Sequence, residues 1–125
     1  MVIVDEDAAV REQVAKTFAA ANYNVATAIS GTDGVEKIME APPDLALINL
    51  QLSDMPGDLI VFRLQQMAKT RRIACLLYLK KNYDHQRVVT EKIGSKTGVT
   101  LLYEYVKPDE LVQAAADMFK RAKND

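Results

Sequence analysis

The chain alternates short apolar runs with longer stretches of helical period, and this constrains its fold more than any single motif. Met1 to Val4 is apolar and stops abruptly at Asp5, Glu6 and Asp7. From Ala8 the period changes: Val10, Val14, Phe18 and Ala21 recur every three or four residues, one face of an amphipathic helix. Asn22 to Ala28 reads as a strand. Ser30 can cap a second helix carrying Val35, Ile38 and Met39, which Pro42 and Pro43 stop. Leu45 to Asn49 is nearly all apolar, as expected of a strand covered on both faces. A loop with Ser53, Asp54, Pro56 and Gly57 leads to a third helix on Ile60, Leu64 and Met67. Ile73 to Leu79 reads as a fourth strand, and Asp84 to Gly94 as a weaker helix on Val88, Val89 and Ile93. Val99 to Tyr103 is a fifth strand, and Pro108 opens a last helix with Leu111, Ala115, Met118 and Phe119 inward.

Strand and helix thus alternate five times. Parallel strands need crossover connections, and these are right-handed, so the pattern predicts an α/β protein with a parallel sheet and helices on both faces. No linker, repeat or low-complexity segment interrupts it, and residues 1–125 are expected to form one unit. The formal net charge is -1 with acids and bases mixed, which argues against a strongly basic nucleic-acid surface. No apolar run reaches the roughly 20 residues of a membrane span. With no secretory signal visible and Cys75 the sole cysteine, a cytoplasmic home is expected.

In an open α/β sheet, ligands bind beyond the carboxyl ends of the strands. Here those ends carry Asp5-Glu6-Asp7, Asn49, Tyr78-Leu79, and Glu104-Tyr105-Val106-Lys107-Pro108. Two acids, an amide and a lysine are expected to converge on one crevice.

With those pieces, the Pro43-to-Asn49 run and the Met55-Pro56-Gly57 turn, the whole chain resembles the receiver domain of two-component response regulators. The resemblance implies a flavodoxin-like, doubly wound (βα)5 fold with a five-stranded parallel sheet in the order 2-1-3-4-5. It places the family's metal-holding acids on Asp5 and Glu6, and the residue lending the metal a backbone carbonyl on Gln51. The phosphoryl-accepting aspartate falls on Asn49, the hydroxyl residue that reads the phosphate on Tyr78, and the mobile aromatic on Glu104. The phosphate-pairing lysine falls on Lys107, and the Lys107–Pro108 bond is expected to be cis.

Three of these positions depart from the family's pattern. A neutral amide at Asn49 is a far poorer nucleophile than a carboxylate and cannot form an acyl phosphate at a useful rate. It also removes a hard anionic oxygen from a magnesium site and can donate to Asp5 or Glu6, so the metal site is expected to be weak or vacant, with no other cofactor. Tyr78 has its hydroxyl several ångströms further out than threonine and is expected to fill or overhang the cleft. Glu104 is no aromatic switch. Ser53 also stands where this loop usually has a proline. One engineered change at Asn49 would leave the other switch parts intact, and they are not.

The expectation is therefore a receiver-like regulatory module, not an enzyme, that acts through protein contacts without phosphorylation. The resemblance implies a histidine kinase or an output domain as partner. It docks on the face of the fourth helix, fifth strand and fifth helix, with Val88, Tyr103 and Tyr105; that face also serves a homodimer. A phosphorylatable receiver using another acceptor, Asp54 for instance, is the alternative, though Asp54 reads first as a solvated turn residue. A nucleotide-binding enzyme is disfavoured, because the first strand ends in acids where a glycine-rich phosphate loop would be needed. Cys75 reads as core packing, His85 as a surface residue, and Arg71, Arg72, Lys80 and Lys81 as solvated charges.

Overall fold

The computed structural model describes residues 1–80, 91–94, 99–105 and 107–124, with 91–94, 99–104 and 121–124 described as backbone. The elements are β1 (Val2–Val4), α1 (Ala8–Ala20), β2 (Ala26–Ala28), α2 (Gly31–Glu40), β3 (Leu45–Asn49), α3 (Gly57–Gln65), β4 (Ala74–Lys80), β5 (Glu91–Gly94), β6 (Val99–Tyr105) and α4 (Pro108–Asn124). The sheet runs β2-β1-β3-β4-β6-β5, parallel throughout except for the antiparallel β5–β6 pair. The order β2-β1-β3-β4 is the expected flavodoxin-like one, and β6 stands where the fifth strand was expected.

The expected helix over 84–94 does not hold at its end. Residues 84–90, with His85 and Val88, lie outside the described residues, and Glu91–Gly94 pair with β6 as a strand. Only three apolar residues carried the helical period there, while an antiparallel neighbour needs only a short connection. The second strand also begins later than its apolar content suggested. Asn22 closes α1 in the left-handed region at φ 71°, a conformation that asparagine tolerates, and so belongs to a turn.

Local chemistry fixes the helix starts. Asp7 caps α1 by accepting from the Val10 N–H at 3.1 Å, and Ser30 caps α2 by accepting from the Asp33 N–H at 3.0 Å. At α4, Pro108 takes the first helical position, where its missing N–H costs nothing, and Glu110 reaches back to the Lys107 N–H at 3.3 Å.

Alternation along the strands divides the core in two. Val2, Val4, Ala46, Ile48, Cys75 and Leu77 face Ile38, Ile60 and Leu64 of α2 and α3. Ile3, Leu45, Leu47, Leu76 and Tyr78 face Val14, Phe18, Leu111, Ala115 and Met118 of α1 and α4. Cys75 is core packing, and burial pushes its thiol up to about 12. The α2 helix lies so close to β1 that a Cβ on Gly34 would meet Val4 Cγ2 at 2.6 Å.

Candidate functional site

Successive side chains on a strand point to opposite faces, so Asp5 falls on the face of Ile3, and Asn49 on that of Leu45 and Leu47. Register then aligns them: Val4 pairs with Ile48, and Asn49 with Tyr78. Asp5, Asn49 and Tyr78 therefore meet at the carboxyl end of the sheet, one step beyond the α1/α4 core.

Asp5 is fully buried. Its Oδ2 accepts from Asn49 Nδ2 at 3.1 Å and from the Tyr78 hydroxyl at 2.7 Å, and its Oδ1 accepts from the Asp7 N–H at 3.0 Å. Arg11 steadies the same turn, its Nη1 donating to the Asp5 carbonyl at 2.9 Å. A buried charge needs such donors, because desolvation would otherwise disfavour it. Asn49 is committed at both ends: while Nδ2 serves Asp5, its Oδ1 accepts from the Gln51 N–H at 2.8 Å. A carboxylate at this position would have nothing to donate to Asp5.

The Tyr78 ring is fully buried and fills the cleft instead of overhanging it. Its phenol is held well above its ordinary value, first by burial and then by the Asp5 charge and hydrogen bond. Tyr105 packs edge-on against it, ring centroids 5.6 Å apart at 72°. Burial, with Asp5 and Asp7 nearby, raises the Tyr105 phenol to about 12. At 3% exposure Tyr105 belongs to the core and not to an open partner face, contrary to expectation. The parity of β6 explains it: Tyr105 lies opposite Lys80, two residues past Tyr78 on the same face.

Glu6 is held by the loop that follows β3. Its Oε2 accepts from the Ser53 N–H at 3.0 Å and its Oε1 from Ser53 Oγ at 2.8 Å. A proline at this position could supply neither donor. The same loop is pinned a second time through Asp54, whose carboxylate accepts from the N–H groups of Gly31 and Thr32 at 3.0 and 2.9 Å and from Thr32 Oγ1 at 3.0 Å. Asp54 is thus an anchor for the start of α2, a role its turn-like surroundings in the sequence did not reveal. The loop ends at Gly57, where a Cβ would lie 2.4 Å from the Asn49 carbonyl oxygen.

Lys107 does not join the crevice. It is exposed, and its ammonium pairs with neither Asp5 nor Glu6. Among the described residues every peptide bond is trans, Lys107–Pro108 included. Trans is intrinsically preferred before proline by about 0.5–1 kcal/mol, and among the described residues no ion pair of the lysine head opposes that preference. For Glu104 the backbone alone is described: it sits in β6 opposite Leu79.

The residues present do not fit the metal that the family resemblance implies. Both Asp5 oxygens are taken by donors, Glu6 is held at Ser53, and Asn49 brings an amide where the family has a carboxylate. Among the described residues no group of three or more His, Cys, Asp or Glu side chains gathers closely enough to hold an ion. No helix among them is long and apolar enough to cross a membrane.

A family model described as the response regulator receiver domain matches residues 1–100. The transcriptional regulatory protein AfsQ1 of Streptomyces coelicolor is 26% identical over 95 residues, which cover 76% of this chain and 41% of that protein. The chain thus spans less than half the length of this curated relative. Among solved structures, the fold is similar to the chemotaxis response regulator CheY4 of Vibrio cholerae, with TM-score 0.71, 19% identity, and 94% and 95% of the two chains covered. It is also similar to a CheY-like response regulator receiver domain protein of Methanospirillum hungatei, with TM-score 0.72, 18% identity, and 99% and 96% covered.

Proposed function

The chain belongs to the response regulator receiver domain family of two-component signalling, and we propose that it works there without accepting a phosphoryl group. The observation that carries this reading is the state of Asn49. Its nitrogen donates to Asp5 and its oxygen accepts from the Gln51 backbone, so the group at the acceptor position is neither nucleophilic nor free. Asp54 does not replace it, because both its oxygens hold the start of α2.

A receiver without phosphoryl chemistry still offers surfaces. Its two-component setting favours a histidine kinase or an output domain as the partner, in a cytoplasmic protein with the receiver as its regulatory unit. A change of state then has to be biased by partner contacts, since a ligand shifts an equilibrium only through its different affinity for the two states. The expected docking face combines the segment after β4 with β6 and α4, without Tyr105, which is buried.

Incubation with acetyl phosphate, followed by intact-mass measurement, tests the reading. The expected result is no phosphoryl adduct under conditions that load an ordinary receiver. A stoichiometric adduct on the natural chain overturns it.

A further inference from the structure

We propose that Asn49, Tyr78 and Ser53 together stand in for a cation, making the acid pair a permanent internal brace, so that Asn49→Asp alone will not give the cleft a tight ion site. The inference rests on the receiver reading of the cleft and goes beyond the loss of the nucleophile. Two carboxylates at adjacent strand-end positions need a counter-charge or strong donors. Here the donors come from the chain: an amide and a phenol on Asp5, a hydroxyl and a backbone N–H on Glu6. Hydrogen bonds to ionised acceptors are the strong ones, so any ion entering the cleft must first break them.

Each donor also has a geometric effect. Tyr78 puts a buried ring where a shorter side chain would leave space, and Tyr105 supports it from behind. Ser53 engages both oxygens of Glu6 from the loop between β3 and α3, while Asp7, Asn49 and Tyr78 engage those of Asp5, so the two acids are held by different sets of donors. The brace thereby ties β1, β3 and β4 to that loop. Of the three donors only Asn49 is the acceptor position, so undoing it leaves the other two in place.

Magnesium titrations followed by NMR test this on the natural protein, Asn49→Asp, Asn49→Asp with Tyr78→Phe, and Asn49→Asp with Tyr78→Thr and Ser53→Pro. The Phe variant keeps the buried ring and so guards against loss of the fold, which the amide spectrum checks in every case. The expected result is no saturable response in the natural protein, binding at least tenfold tighter in the triple variant than in Asn49→Asp alone, and the Phe variant between the two. Equal affinity in Asn49→Asp and the multiple variants, or no binding in any folded variant, overturns the brace. Neither outcome depends on whether the natural chain accepts phosphate, so the two readings fail separately.

Discussion

Tyr78 has one hydroxyl in a fully buried ring, and that hydroxyl donates to a carboxylate that is itself fully buried. Ionising the phenol would put two negative oxygens 2.7 Å apart, which explains why burial and Asp5 act in the same direction. A folded-state value above the unfolded one, about 10 for tyrosine, gives stability that is fully present below that pH and lost as pH rises toward the folded value. Tyr105 adds to the same loss over the window from about 10 to about 12. Alkaline denaturation should therefore begin above about pH 10, and absorbance titration of the native protein should show phenols that ionise only as the chain unfolds. Tyr78→Phe should remove one of these late phenols; if the late population is unchanged, Tyr78 is not held by Asp5. Much of this site was legible in the sequence. Strand-end position picked out Asp5, Glu6, Asn49 and Tyr78, and the chemistry of an amide correctly anticipated the bond from Asn49 to Asp5. What stayed hidden depended on parity and on side-chain reach: Tyr105 turning inward, Glu6 bonding to Ser53, and Lys107 staying outside.

The start of α2 shows how an element can be set from another part of the chain. Its first N–H groups have no partners within the helix, and Ser30 satisfies only one of them. Asp54, more than twenty residues later, satisfies Gly31 and Thr32, and those backbone bonds are what hold its carboxyl below the usual range. Asp33 is lowered as well, chiefly by the Ile29 N–H and also by Lys37 at 3.3 Å. Both values lie below those of the unfolded chain, so the support they give is present above about pH 4 and lost as pH falls through the folded values. Asp54→Asn should weaken the clamp at neutral pH. Amide hydrogen exchange at Gly31 and Thr32 should quicken while exchange in β3 is unchanged; equal protection in the variant would show that the clamp carries no stability. At the scale of elements, the fold is legible in the sequence where periodicity is strong. Ser30, β3, and Val14 and Phe18 of the α1 face appear as expected, because caps and dense apolar patterns act locally, while Ala21 is exposed just past the helix end. Glu91–Gly94 was not legible as a strand, because its one apolar residue, Ile93, fits a helix and a strand about equally well.

Across the whole molecule, the sheet is shared by two half-cores, and consecutive residues of one strand belong to different halves. Leu47 and Ile48 are neighbours in β3, both fully buried, one facing α1 and α4, the other α2 and α3. The candidate site is built on the first half only, since Asp5, Asn49 and Tyr78 continue the rows of Ile3, Leu47 and Leu76. Neither half can loosen without disturbing strands the other needs, so the domain should unfold as one cooperative unit. Leu47→Ala and Ile48→Ala should each cost about 2–5 kcal/mol, with far-ultraviolet circular dichroism and tyrosine fluorescence reporting coincident transitions in urea. Their effects on the cleft should differ. Leu47→Ala leaves a void in the row that ends in Asn49 and should change the tyrosine signal of the folded protein in the absence of urea, while its transition stays coincident by both probes. Ile48→Ala lies on the opposite face and should leave the tyrosine signal native until the single transition. If the two variants perturb the native tyrosine signal equally, register alone does not organise the site, and the sheet transmits packing changes across its thickness.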